Sequence, residues 1–211
     1  MALTAFTTSN LTNSLAEHLA SKLLTAGYFV HWHALDALQI PSGDVYLDYQ
    51  ANQATILQTD ATVSAALASA KGILTLRNDD FSFPQYPVRP TSDGAVAAPE
   101  DIPVPTIAVS VSHGSNGDLL GLGSTERARY ADLELYGLAR DAGEQMYLTD
   151  ALRIAFDESQ FVDVLNHDAG TRAAVGAVEI QRTNVETFIY PLGPDSKAFE
   201  FTLNARLRYE A

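Results

Sequence analysis

Cysteine is absent from the chain, which excludes disulfides and cysteine-ligated zinc and suits synthesis in a reducing cytosol. Basic residues are scarce as well. Thirteen Lys and Arg stand against 26 Asp and Glu, a formal charge of −13, and long-range repulsion from phosphates then opposes sequence reading in a DNA groove. An acidic wall past which DNA slides without sticking is compatible with that charge. No run approaches the roughly 20 consecutive apolar residues of a spanning helix. The opening MALTAFTTSN has neither the basic nor the apolar region of a signal peptide. A soluble protein made inside a cell is expected. With 46% hydrophobic residues over 211 positions, the chain can bury one substantial core as a single domain, residues 1–211.

Apolar spacing gives the elements. Leu11, Leu15, Leu19 and Leu23 share one face of a helix that Asn10 is expected to cap and Gly27 to end. Tyr28 to Leu35 reads as a strand, Val45 to Tyr49 and Ala54 to Gln58 as a hairpin, Asp60 to Lys71 as a short helix, and Ile73 to Leu76 as another strand. Between Asn78 and Pro105 regular structure should stop, because Pro84, Pro87, Pro90, Pro99, Pro103 and Pro105 crowd there. A stretch of that length reads as an extended arm. Ile107, Val109 and Val111 then alternate with polar neighbours as a half-buried strand, and a Gly-rich loop is expected from His113 to Ser124. Arg127 to Tyr136 alternates again. Asp141 with Glu144 three residues on signals a helix start, and Leu148, Leu152, Ala155 and Phe156 supply its packed face. Ala177 to Thr183 and Phe199 to Tyr209 complete the strands. Strands with polar outward faces cannot all be sandwiched between helices. The expected fold class is therefore α+β, a mainly antiparallel sheet with two principal helices packed on one face, plus a long Pro-rich arm.

The phrases PTIAVSV, RARYADLELYGLARDAGEQMYLTDALRIAFDE, FVDVLNHDAG, VGAVEIQRTNVE and FEFTLNARLRY, in that order, resemble the tail terminator or tail-completion (head–tail joining) proteins of long-tailed bacteriophages. In such proteins a strand passes through a short polar turn into a helix, a short strand follows, and two long strands finish the sheet. The opening helix resembles theirs too, whereas residues 40–104 do not match and read as an insertion. The resemblance implies a non-enzymatic structural protein of the virion, without cofactor, made in the host bacterial cytoplasm. It implies a homo-oligomeric, hexameric ring that caps the tail tube. Its partners would be the tube protein, the head–tail connector or neck proteins and, in a contractile tail, the sheath; genome DNA would only pass through the channel. A ring subunit needs heterologous contacts. The arm, with Pro84, Tyr86 and Pro87, and the loop carrying Leu119, Leu120 and Leu122 are the interface candidates, since three leucines in a polar loop need shelter.

Other chemistries are weaker. Gly117 to Ser124 lacks the Lys and the following helix of a phosphate loop. His31 and His33 share a strand face and would ligate a metal only with a third group converging. His167 and Asp168, with His113 and Ser115, allow a Ser-His-Asp set on paper, but no nucleophile elbow accompanies them and bend formation explains the Asn166–Gly170 stretch. Two alternatives to the terminator stand: a stopper or other neck protein, and, from another class, a glycan or small-ligand module using Tyr28, Trp32, Tyr46 and Tyr49.

Overall fold

The computed structural model describes residues 6–32, 37–39, 45–47, 70–77, 105–119, 127–167, 173–191 and 197–210. Helix α1 (Thr8–Thr25) is capped by Thr7, whose hydroxyl accepts the Asn10 N–H at 3.1 Å. Asn10 is therefore not the cap expected from the sequence. It lies in the first turn, fully buried, because its side chain is used elsewhere. The helix does end at Gly27, which has φ 94°, a conformation that favours a residue without Cβ. Leu11, Leu15, Leu19 and Leu23 are all buried, as their spacing predicts.

The strands are β1 (Tyr28–Trp32), β2 (Ala37–Gln39), β3 (Val45–Leu47), β4 (Gly72–Arg77), β5 (Thr106–Leu119) and β6 (Arg127–Ala139). After helix α2 (Ala142–Glu158) come β7 (Phe161–Leu165), β8 (Ala174–Pro191) and β9 (Lys197–Glu210). Among the described residues they form one sheet in the order β3-β2-β1-β4-β5-β6-β9-β8-β7. Pairing is antiparallel except at β1–β4 and β4–β5, which are parallel. Both β3 and β4 fall inside residues 40–104, and β4 sits between β1 and β5. Strand β3 pairs with β2; the 54–58 segment expected to pair with it lies outside the described residues. So does most of the helix expected over 60–71.

Asp141 caps α2 as its spacing predicts: Oδ1 accepts the Glu144 N–H at 2.8 Å. The Glu144 carboxylate reaches one residue further back than a capping box requires and accepts the Arg140 N–H at 2.8 Å. Both helices bury leucines against Val109, Leu133, Leu135, Leu203 and Leu207 of the central strands. Each such side chain contributes on the order of 2 kcal/mol. Helix α1 touches β7 at one edge and also β5, β4 and β1, so the sheet curls around it. At one point the packing leaves room for glycine only: a Cβ on Gly137 would lie 1.9 Å from Phe201 Cζ.

On the face away from the core, register lines up His31, Thr75, Thr106, Leu138 and Glu200 across five adjacent strands. All five are buried. Toward the β7 edge the same face is open, with Asp132, Asn204, Arg206 and Phe161 exposed.

Candidate functional site

On that open part of the far face, β8 and β9 are in register at Ile180↔Leu207 and again at Arg182↔Arg206, so Gln181 is an extra residue with no partner on β9. Such a bulge breaks the ladder and re-aims side chains. The groove beside it is lined by Gln160, Glu179, Ile180, Gln181 and Arg206. The Arg206 guanidinium lies over the Tyr130 ring, 4.2 Å from its centroid. A cation over a ring face is attracted by the ring's quadrupole, which helps to place the guanidinium. Among the described residues Arg206 has no ion pair, although Asp132 stands opposite it in register. Arg208 does pair, with Glu179 at 3.1 Å. Phe161, opposite Glu179 on β7 and next in the chain to Gln160, is 61% exposed.

The outer side of α2, across the sheet from this groove, carries a second exposed stripe. Met146 is 65% exposed and Ile154 49%, and they flank Asp150 at helical i, i+4 spacing. Asp150 Oδ1 meets Arg153 Nη2 at 3.3 Å, both side chains exposed. A pair of that kind contributes little, so the carboxylate is open to exchange of partners.

Three further polar groups are framework. At the start of α2, Glu144 accepts hydrogen bonds from Arg140 Nε and from the Tyr28 hydroxyl at 3.3 Å, and Arg140 Nη2 donates to the Lys71 carbonyl at 2.9 Å. Burial and the Glu144 charge push the Tyr28 hydroxyl well above the ordinary tyrosine range. The Tyr147 hydroxyl donates to the Ala26 carbonyl, and Lys71 Nζ lies over its ring. Together these contacts tie the end of α1 to β4 and α2. At the end of β7, Ser14 Oγ accepts the Leu165 N–H at 2.9 Å, and Asn10 Oδ1 accepts the His167 N–H at 3.0 Å. Ser14 Oγ also lies 3.4 Å from His167 Nε2, and Glu17 Oε2 lies 4.0 Å from the same nitrogen. These bonds anchor the end of β7 to α1, with hydroxyl and carboxylate both on the Nε2 side of the ring. Finally, Glu200 is 4% exposed with Oε1 unpartnered, and Thr106 Oγ1, two strands away in the same buried row, is unpartnered too. Burial raises the Glu200 carboxyl from 4.5 to about 7 against a hydrogen bond from Tyr136 that lowers it.

The sequence-based site expectations fare unevenly. The loop expected from His113 to Ser124 is strand as far as Leu119, which pairs with Arg127, and irregular pairing between His113 and Leu119 accommodates its glycines. Leu119 thus ends a ladder instead of sitting in a loop. Leu120, Leu122, Pro84, Tyr86 and Pro87 lie outside the described residues, as do His33, Asp168 and Tyr49. His31 is buried, and His113 Nδ1 lies 3.0 Å from the Tyr209 hydroxyl. Among the described residues no three His, Asp or Glu side chains converge to hold a metal. Tyr28, 2% exposed, offers no ring face to a sugar. In the sequence only the i, i+2 alternation of Arg206 and Arg208 marks a common strand face, and nothing there singles out Phe161. The chain matches no protein-family model, and no curated protein sequence matches it significantly.

Proposed function

We propose that the chain is a structural protein of a phage virion, a tail terminator whose copies form a hexameric ring that caps the tube and meets the head connector. The order β5-β6-α2-β7-β8-β9 supports this reading, because it is the order the resemblance implies. The observation that carries it is the presence of two unlike exposed surfaces, one on the far face of the sheet and one on the outer side of α2. Unlike surfaces on one subunit make heterologous contacts, and these close into a ring when the rotation between copies permits. The channel rim is acidic in this reading, so that DNA passes without adhering.

Electron microscopy of particles assembled without the protein tests the role. Tails of uncontrolled length, unattached to heads, are expected. Full heads that leak DNA beside tails of normal length point instead to a stopper and overturn the terminator assignment.

A further inference from the structure

We infer that the outer stripe of α2 on one copy docks into the Arg206 groove of the next copy, Asp150 meeting Arg206 while Met146 and Ile154 cover Phe161. This inference rests on the ring reading and names its contact. Its first support is charge. A subunit with 26 acidic and 13 basic residues repels its own copies at long range, so cohesion must come from local pairing of the few free cations with surplus carboxylates. Arg206 is such a cation, its guanidinium over the Tyr130 ring and its side chain lining an open groove. A planar fork held in place suits a carboxylate, which it binds through two parallel hydrogen bonds. The amide side chains of Gln160 and Gln181 flank it and supply neutral donors.

The second support is apolar. Phe161, Met146 and Ile154 are among the most exposed large hydrophobic side chains among the described residues. Phe161 is joined to the groove through its chain neighbour Gln160 and its register partner Glu179, and the other two lie one helical turn either side of Asp150. The groove thus offers Arg206, whose neighbour Glu179 is taken up by Arg208, and the helix offers Asp150, held in an exposed pair with Arg153; each stands near exposed apolar area, and aromatic residues with Arg are enriched in protein contacts. A nucleic acid is disfavoured as occupant because the rim includes Glu179, already paired to Arg208, and because the net charge repels a polyanion. The two surfaces lie on opposite sides of the sheet, so one copy offers both at once to different neighbours.

Light scattering of the full chain at high concentration and 50 mM salt, for the wild type, R206E, D150R and the double variant, tests the contact. The wild type is expected to form oligomers that dissociate in 500 mM salt. R206E and D150R should each weaken association by about tenfold or more, and the double variant should recover most of it, since opposite charges are again across the contact. All positions are exposed, and unchanged thermal midpoints confirm intact folding. Oligomers that persist unaltered in both single variants overturn the docking inference and leave the ring reading standing. A wild type that stays monomeric throughout overturns it as well, and the particle experiment then decides the ring reading separately. Failure of the double variant to recover, with both singles monomeric, shows that Arg206 and Asp150 do not face each other and likewise refutes it.

Discussion

Replacing Glu200 by Gln should stabilise the protein at alkaline pH and leave it unchanged in mild acid. The carboxyl is buried on the far face with one oxygen unpartnered, and it holds its proton to about pH 7. The unfolded chain releases the same proton near pH 4.5. Between those values the folded state carries a proton that the unfolded state lacks, so stability falls as pH rises, by at most about 1.4 kcal/mol per unit. Stability from the neutral carboxyl is fully present below pH 4.5 and lost by pH 7 and above. The difference of roughly 2.5 units amounts to on the order of 3 kcal/mol. The amide keeps an acceptor for Tyr136 but never ionises, so the variant escapes this loss. Urea denaturation of both proteins from pH 5 to 8.5 isolates the effect, because other titrating groups cancel in the difference. The variant should gain about 2–3 kcal/mol by pH 8.5, on the order of 6 °C in thermal midpoint, and little at pH 5. A difference that does not vary with pH, or a variant less stable at pH 8.5, refutes the reasoning.

Gly137→Ala should destabilise by about 3 kcal/mol in urea melts, since its Cβ would overlap the Phe201 ring; adding Phe201→Leu should recover part of that, and a neutral G137A would contradict the packing. Asp141→Ala removes the cap of α2 and should cost about 1 kcal/mol, read as a lower thermal midpoint, with Asp141→Ser nearly unchanged. Ser14→Ala leaves the Leu165 N–H without its acceptor and should cost about 1–3 kcal/mol. Hydrogen exchange at Leu165 should rise more than at Leu203 if the loss is local to β7.

Signals are legible in the sequence where they lie within one element. Asp141 and Glu144 mark the start of α2 because a cap is made within four residues, and the unbroken alternation of Phe199 to Tyr209 marks β9 because one face is buried along its whole length. Asn10 reads as the cap of α1 by residue type, but Thr7 caps the helix and the Asn10 side chain accepts the distant His167 N–H, a partner that no local pattern reveals. The run His113 to Leu119, rich in Gly, Ser and Asn, reads as a turn by propensity. Ladder bonds to β6 override that preference. For the same reason β8 continues past Thr183 to Pro191, held by β9.

The sequence by itself determined the two amphipathic helices, the half-buried strands, the acidic charge and the absence of cysteine chemistry, since each depends on composition or on a period of two or 3.6 residues. Only the folded chain makes β1, β4 and β5 parallel, buries Glu200 in one row with Thr106, and sets the Arg206 guanidinium over the Tyr130 ring. These depend on strand order and register, which bring together residues far apart in the chain and which no local pattern encodes.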